Sequence, residues 1–394
     1  MKDTVPFSRQ CLFAFRLAWR QMLFHRAKLF AAVSGVMFAC VLVFFQTGFK
    51  DALWASVLVS PSKMSGDLFL VHRQTEAFWR SIPFAESTLH RMMSHPDAQK
   101  VISLYMGFAP FKNPVTQQKR TIFVYGYDLA TDLLAIPDVL RQKDTLKNAD
   151  TVLFDRASRP EFGPIADLVA QKGPVDTELN DRRVSVQGIF TLGGSFSADG
   201  NVIVGETNFF RLFPGRTPEY IDLGIVRLKK GADIKAAQAS LRTILDQDVY
   251  LFTAKEMQDH ELGYWKESVP IGFIFDFGTL MGLIVGMVIV YQILFTDVMN
   301  NIPQYATLSA MGYPFRYFML VVFSSSLILA VLGFVPGVLV SSLLYNVAES
   351  NIYLPMPMPL SKIIGIFLLT LGMCIASGFL AMQKLRRIDP AEMF

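Results

Sequence analysis

Histidine is the residue type used most often for acid–base catalysis and metal binding, and this chain has five. They are His25, His72, His90, His95 and His260. They form no H-E-x-x-H motif and no Cys/His spacing that holds a metal, and His90 and His95 lie in HRMMSH, which is more typical of an exposed helix surface. The chain also lacks a G-x-x-x-x-G-K-[ST] phosphate-binding loop. The sequence therefore predicts a non-catalytic chain with no metal or cofactor of its own.

Asp276 stands at the edge of a long apolar run, where a carboxylate either handles protons or simply stays solvated. The solvated interpretation is favoured because the interiors of the apolar runs carry no charge. An ion-coupled carrier or an intramembrane enzyme needs polar groups at that depth. The cysteines are Cys11, Cys40 and Cys374, so no disulfide stabilises the region between residues 51 and 268.

Long apolar runs dominate the composition, since 52% of the 394 residues are hydrophobic and 34 are phenylalanine. Four runs are long enough to cross a bilayer as helices: residues 29–49, 269–296, 317–345 and 363–383. The first would measure about 31 Å as a helix. We interpret it as a retained anchor, because no A-x-A-like cleavage site of a signal peptide follows it. The net charge of +4 gives no indication of nucleic-acid binding.

Residues 50–268 differ in kind, because charges, prolines and glycines return and no run is long enough to span. Strands are predicted at Asp67–Val71, Val101–Phe108, Thr121–Tyr127, Arg183–Phe190, Asn201–Val204 and Ile221–Leu228. Helices are predicted at Ala85–Ser94, Ala232–Leu245 and Ala254–Glu267, with a looser charged stretch from Arg141 to Asp150. The predicted fold class is a membrane α-helical protein with four transmembrane helices and a large α+β extracytoplasmic domain inserted between the first two.

Basic residues flank the spans unevenly, and this asymmetry predicts the topology. Residues 1–28 are basic, and Leu12–Phe24 is amphipathic enough to lie in the membrane surface as a helix. The tail 384–394 begins with Lys384, Arg386 and Arg387. The positive-inside rule then places both ends and the connection 297–316 in the cytoplasm. Residues 50–268 and the Pro/Met-rich loop 346–362 are placed outside.

Small residues recur every fourth position in three of the spans. The positions are Ala31, Gly35 and Ala39 in the first, Gly278, Gly282 and Gly286 in the second, and Gly333 and Gly337 in the third. In lipid, small residues let helix backbones approach closely. Two interpretations stay open, namely packing within one bundle and a homodimer interface. Pro336 and the serines 324–326 could bend the third span.

The connection 297–316 contains a helix-like stretch, Pro303–Met311, closed by Gly312. Proline in the first turn and glycine just past the end are ordinary helix punctuation. Ile302, Tyr305 and Ala306 are predicted to share one face, and Leu308 and Met311 the opposite one. Apolar residues on two sides suggest that one face packs on the spans and the other on a partner. A tight turn joining two spans is the alternative.

Several segments together resemble a known family. They are Phe45–Leu53, Leu153–Pro160, Gly194–Asn201, Pro270–Phe275, Val288–Val298 and Leu332–Gly337, with the pattern A-T-L-x-A-M-G-Y at Ala306–Tyr313. In this order they resemble the FtsX/MacB-type permeases of ABC transporters. Within that family they are most similar to the DevC permeases, the membrane subunits of the heterocyst glycolipid exporter group. The chain departs from the pattern at Gln304 and Ser309, where such permeases usually carry Glu and Lys.

The resemblance implies an exporter subunit in the bacterial inner membrane. Two copies would bind two copies of a cytoplasmic ATPase, which itself binds ATP and Mg. The implied contact is the helix that comprises Ile302, Pro303, Gln304, Tyr305, Ala306, Thr307, Leu308, Ser309, Ala310, Met311, Gly312 and Tyr313. The periplasmic domain would work with a membrane-fusion adaptor and a TolC-like outer-membrane channel, by mechanotransmission. The implied substrate is a lipid, a glycolipid or another amphiphile.

Three other functions stay open at this point. Within the same family, the chain could regulate cell-wall hydrolases or release lipoproteins. Outside it, a membrane-anchored sensor would also have an outer domain and an inner contact. A sensor normally needs a cytoplasmic output domain, and the predicted inner segments are short.

Overall fold

The structure is a computed structural model that describes residues 7–24, 26–352 and 354–385. The first six residues, His25 and the basic tail from Arg386 onward, which the sequence analysis assigns to cytoplasmic segments, lie outside the described residues. Four helices are long and apolar enough to cross a membrane, and a large domain of sheet and helices is inserted between the first two. The predicted fold class is confirmed.

The helices in chain order are α1 (Phe7–Phe24), α2 (Arg26–Val57), α3 (Val59–Ser62), α4 (Glu86–Arg91), α5 (Pro137–Gln142), α6 (Ile165–Lys172), α7 (Glu206–Leu212), α8 (Ile234–Arg242), α9 (Ala254–Ser268), α10 (Ile271–Asn300), α11 (Ile302–Ala310), α12 (Phe315–Ile352) and α13 (Leu360–Leu385). The four long helices α2, α10, α12 and α13 run past the ends of the apolar stretches seen in the sequence, except that α10 begins two residues inside its stretch, at Ile271. Hydropathy marks where lipid can surround a helix, whereas backbone hydrogen bonding continues beyond that point.

The strands are β1 (Leu68–His72), β2 (Phe84–Ala85), β3 (Ala98–Lys112), β4 (Lys119–Tyr127), β5 (Thr151–Asp155), β6 (Val175–Leu179), β7 (Arg182–Phe190), β8 (Asn201–Gly205), β9 (Tyr220–Ile221), β10 (Leu223–Leu228) and β11 (Val249–Thr253). Nine form one sheet in the order β11-β1-β10-β3-β4-β8-β5-β7-β6, and β2 pairs with β9. One further pair, Phe111 with Leu179, joins β6 back to β3. Six strands of the sheet therefore curve round on themselves.

Contacts divide the chain into two compact units. One, here called the bundle, contains residues 1–51, 271–351 and 356–394, and the other, the inserted domain, contains residues 52–270 and 352–355. In the inserted domain both faces of the sheet are buried. On β3, for example, Tyr105 and Phe111 lie in one apolar layer, whereas Leu104 and Met106 lie in the other. This follows from the two-residue period of a strand.

All six predicted strands are present, and β5, β6, β11 and the short β2 are additional strands that the sequence pattern did not indicate. The predicted strand Ile221–Leu228 is divided into β9 and β10 at Asp222. That carboxylate is buried, accepts a hydrogen bond from the Met106 backbone N–H at 2.7 Å and pairs with Arg216. Burial raises the pKa of Asp222, and the Arg216 guanidinium opposes that shift. A buried carboxylate in a break between strands leaves no hydropathy signal, so the pattern alone could not show it.

Two segments that carry the family resemblance, Leu153–Pro160 and Gly194–Asn201, pack against each other in the inserted domain. The fully buried Asp155 carboxylate accepts hydrogen bonds from the Asn201 side chain at 2.9 Å and the Leu192 backbone N–H at 3.1 Å. At the surface of the same contact, Arg159 pairs with Asp199 at 2.8 Å. These residues therefore stabilise the domain, and their polar groups are used within it.

Asp150 links two arginines and provides a prediction about pH. It has a positive φ of 59° and pairs with Arg182 at 2.6 Å and with Arg211 at 2.7 Å. Hydrogen bonds from Arg211 and Arg182 lower the pKa of Asp150 to about 2. In an unfolded chain the pKa of an Asp side chain is about 3.9. The ionised Asp150 therefore stabilises the folded state fully above about pH 4, and this stabilisation is lost as the pH falls toward 2.

Asp150→Asn should therefore lower the free energy of unfolding by about 1–2 kcal/mol at pH 7. Asparagine tolerates the positive φ, so the change removes mainly the charge. The difference between the wild type and the variant should shrink as the pH is lowered from 5 to 3, measured by denaturant unfolding of the purified protein. Asp144→Asn is the control, because Asp144 is 77% exposed and forms an ion pair with Lys147, whereas the more buried Asp150 pairs with two arginines. If the difference in free energy of unfolding did not change with pH, the stabilisation could not be assigned to the lowered pKa of Asp150.

Candidate functional site

The helix α11 is the site that the sequence singles out, and local interactions define both its ends. Before it, the Asn301 side chain donates to the carbonyl of Asp297 at 2.8 Å, which fixes the corner between α10 and α11. After it, Gly312 has a positive φ of 93°, and the Tyr313 N–H donates to the carbonyl of Leu308 at 3.1 Å. A glycine with positive φ followed by this bond is a common way to end a helix. The predicted end signals are thus present, and each end of α11 lies one residue from its predicted position.

One face of α11 packs inward on the bundle. Tyr305 is 6% exposed, and its ring lies 5.2 Å from that of Phe318 on α12, measured between centroids. Ile302 and Leu308 are partly buried against the same cluster. The prediction that Leu308 faces away from Tyr305 is wrong. The two residues are three positions apart, which on a helix makes them neighbours on one face.

The opposite face of α11 is exposed in the described part of the chain. Met311 is 63% and Tyr313 45% exposed. The other exposed positions are Pro303, Gln304, Thr307, Ala310 and Gly312, while Ala306 is half-buried and the side chain of Ser309 lies outside the description. Residues 302–313 contain no charged side chain. This face therefore offers a partner a neutral surface with a large apolar residue at its end.

The helix α1 supports α11, a role that the sequence analysis did not predict. Ala14 and Ala18 are fully buried in the cluster that holds Tyr305, and the Gln21 side chain donates to that of Gln304 at 3.2 Å. Alanines four positions apart let two helices approach closely. The four-residue spacing of these alanines is a signal that the sequence contains, but it is hard to recognise among the larger apolar residues of α1.

The small-residue positions predicted for packing lie along a seam between α2 and α10 of one chain. A Cβ placed on Gly278 would lie 2.6 Å from the Gln46 side chain, and one placed on Gly286 2.6 Å from the Cβ of Ala39. Gly282 faces Leu42 less tightly, at 3.4 Å, and Gly35 faces Ile289. The positions rise on one helix as they fall on the other, so the helices are antiparallel. Ala31 is exposed and lies outside the seam.

The third span packs on the first through its own glycines. A Cβ on Gly333 would lie 2.5 Å from Val36, and one on Gly337 2.9 Å from Cys40. Here the positions rise together, so α2 and α12 are parallel, as expected when one span separates them. Pro336 lies inside α12, which continues past it without a break.

Several buried hydroxyls in the bundle bond their own helices, whereas those of Ser377 and Tyr345 donate to backbone carbonyls on neighbouring helices. Ser326 donates to the carbonyl of Val322 at 3.0 Å, Ser341 to that of Gly337 at 2.7 Å, and Thr370 to that of Ile366 at 2.8 Å. Each bonds the carbonyl four residues earlier, a usual way to satisfy a hydroxyl in a helix. At one end of the bundle, Asp276 pairs with Lys50, and Asp51 with Lys362 at 2.9 Å. These polar groups hold helices together, and we see no chain of them through the interior of the described bundle.

The comparison with protein families concerns the part of the chain that contains α11. Residues 277–390 match the FtsX-like permease C-terminal family. This FtsX-like region begins within α10, includes α11, α12 and α13, and extends into residues that the structure does not describe. The exposed helix therefore lies inside the matched region.

Comparison with solved structures finds similar chains, among them two extracytoplasmic domains. One is the periplasmic region of MacB from Actinobacillus actinomycetemcomitans, at 13% identity, covering 52% of this chain and 96% of that one with a TM-score of 0.36. The other is the extracellular domain of the noncanonic ABC-type transporter YknZ from Gram-positive bacteria, at 13% identity, with coverage of 48% and 99% and a TM-score of 0.33. None of the curated proteins compared with the chain matches it.

Proposed function

We propose that this chain is the permease subunit of an ABC transporter and that α11 is its contact with a separate cytoplasmic ATPase. The observation that carries the proposal is the two-sidedness of α11. On its inner face, Tyr305 packs on Phe318 of α12 and in the cluster with the alanines of α1, and its outer face is exposed and neutral. A helix held this firmly can transmit a displacement of its outer face to the spans. Its place inside the FtsX-like region supports the same assignment.

In this proposal the ATPase binds the nucleotide, and this chain provides the surface that the ATPase contacts. Its sequence has no phosphate-binding loop, so ATP and Mg would be bound by the partner ATPase and no cofactor by this chain. Gln304 is uncharged and bonded to Gln21, so the contact proposed here rests on shape and apolar burial with no ion pair. Met311 and Thr307 are the positions best placed for it.

We further propose that the bundle transmits motion and does not carry substrate through its interior. The buried serine and threonine hydroxyls described above donate to backbone carbonyls within the bundle, which argues against their lining a polar path. The helix α2 continues without interruption from Arg26 to Val57, beyond the last residue of the bundle. Movement of the bundle would thus reach the inserted domain through the helix that connects them. This is the mechanotransmission that the family resemblance implies.

The remaining assignments rest on the resemblance. The chain would act as a homodimer in the bacterial inner membrane, with the inserted domain in the periplasm. There it would meet an adaptor protein that leads to a TolC-like channel, and the exported substrate would be a lipid, a glycolipid or another amphiphile. Because the seam glycines of α2 and α10 already contact the same chain, the dimer would use other surfaces of these spans.

The sidedness can be tested by single cysteines in a background that lacks Cys11, Cys40 and Cys374. Lys230 and Asn300 are both exposed and suit this purpose. Asp199 is unsuitable because it pairs with Arg120 and Arg159. An impermeant thiol reagent added to intact cells with a permeabilised outer membrane should label Lys230→Cys and leave Asn300→Cys unlabelled until the inner membrane is opened. Labelling of both positions to the same extent would contradict the topology.

The function itself is tested by purification of the tagged chain together with ABC ATPases produced in the same cells. We expect one ATPase to co-purify and its hydrolysis rate to depend on this chain. A chain that is folded and inserted but retains no ATPase under any nucleotide condition would refute the permease assignment. A membrane-anchored sensor would give that result.

A further inference from the structure

We propose that α1 binds the headgroups of anionic phospholipids and that this binding sets the position of α11. The lipid contact is independent of the proposed function, whereas its consequence for ATPase coupling rests on that function. Three features of the structure support it: an exposed apolar face, exposed arginines beside that face, and a buried face that holds α11.

The exposed apolar face of α1 consists of large side chains on successive turns. Leu12 is 52%, Phe15 41%, Trp19 39% and Leu23 43% exposed. Their spacing of three or four residues places them on one side of the helix. An amphipathic helix with Trp, Phe and Leu on one side is suited to lie in the boundary between headgroups and acyl chains.

The charge of α1 is complementary to an anionic surface. Residues 7–28 contain no Asp or Glu, and Arg16 and Arg20 are exposed one residue after Phe15 and Trp19. Long arginine side chains beside an apolar face can reach the headgroups while that face is buried. Each basic residue near an anionic membrane surface strengthens attraction about fivefold at ordinary ionic strength.

The location of α1 in the chain favours a lipid over a protein partner. It ends at Phe24, and the span α2 begins at Arg26, so its exposed face is tied to the start of a membrane-crossing helix. A protein partner could also cover the apolar side chains. Such a partner, however, would have no reason to respond to the lipid composition of the bilayer.

The other side of α1 contacts α11. The fully buried Ala14 and Ala18 pack in the cluster that contains Tyr305, and Gln21 bonds Gln304. These contacts leave little space between the two helices. A change in the depth or tilt of α1 must therefore move α11 or break these contacts. Anionic lipid would in this way favour one position of the ATPase-binding face.

The test uses the purified full-length chain in nanodiscs of phosphatidylcholine alone or mixed with phosphatidylglycerol, without any ATPase. Two single-cysteine versions lacking the native cysteines report on the two helices, Leu12→Cys on α1 and Met311→Cys directly after the last residue of α11. A water-soluble maleimide measures their labelling rates. We expect anionic lipid to slow labelling of Leu12→Cys about fivefold or more, and to change the rate of Met311→Cys at least twofold.

Arg16→Gln combined with Arg20→Gln should abolish both lipid effects. The matched control, Lys230→Gln with Lys235→Gln, removes two exposed charges from the inserted domain and should leave them unchanged. Equal labelling of Leu12→Cys in both bilayers would overturn the lipid contact and leave the face to a protein partner. A response at Leu12→Cys without one at Met311→Cys would overturn the link to α11. Neither result would bear on ATPase binding, which is measured separately.

Discussion

Gly286→Leu should separate α2 from α10 and destabilise the bundle by about 3 kcal/mol, at the upper end of the usual cost of overpacking. A Cβ at this position would already lie 2.6 Å from that of Ala39 on α2 and 2.5 Å from the sulfur of Met373 on α13. Three helices meet there, so no one of them can move away without disturbing another. In lipid the helices are held together chiefly by packing, and a lost contact is not replaced by a hydrophobic gain.

The measurement is the midpoint of thermal unfolding of the protein in detergent, followed by size-exclusion chromatography. Gly372→Leu is the matched control, because it makes the same change in α13 at a position where a Cβ would meet nothing within 4 Å. A graded pair adds a second comparison. Gly286→Ala should lower the midpoint, whereas Gly282→Ala should have little effect because its nearest contact, at 3.4 Å, is an ordinary one.

The same experiment separates the two interpretations of the small-residue pattern. If the seam lies within one chain, Gly286→Leu reduces stability at every protein concentration. If Gly286 instead lies at a dimer interface, the variant should run as a stable monomer with an unchanged unfolding midpoint at low concentration. That second outcome would contradict the packing described here.

Met311→Asp should reduce the affinity for the ATPase at least 30-fold, which corresponds to about 2 kcal/mol or more. Met311 is 63% exposed at the end of α11, so the change should not disturb the fold of the isolated chain. In the complex it would bury a carboxylate, and residues 302–313 of this chain carry no charge that could pair with it. Half-buried Ala306 is the other position to test, because Ala306→Asp places the charge closer to the bundle.

The measurement is retention of the ATPase by the tagged chain, together with its rate of ATP hydrolysis. Met311→Leu keeps an apolar side chain of similar size and should retain binding. Lys230→Asp, an exposed change in the inserted domain, controls for the added negative charge. Undiminished ATPase binding by a well-folded Met311→Asp variant would remove this end of α11 from the contact.

The features of this protein that depend on local composition, namely its spans, the limits of α11 and its inserted domain, could be predicted from the sequence. Apolar runs of more than 20 residues indicate spans because only a helix satisfies every backbone group in lipid. Pro303 and Gly312 predicted the limits of α11 to within a residue, since a proline near the start and a glycine with positive φ at the end act within one turn. The mixed composition of residues 50–268 likewise predicted a folded domain of sheet and helices.

The neighbours against which each group of residues packs became clear only from the folded structure. Gly278, Gly282 and Gly286 specify close packing, but nothing in their spacing says whether the neighbour belongs to the same chain; the structure places α2 there. Ala14 and Ala18 stabilise α11 because residues about 290 positions apart meet on folding, whereas the position of Leu308 beside Tyr305 follows from helix periodicity alone. Strand β6 and the buried Asp155 were also missed. The Asp155 carboxylate is satisfied by Asn201, 46 positions away, and β6 pairs mainly with the adjacent β7; hydropathy along a short segment indicates neither kind of pairing.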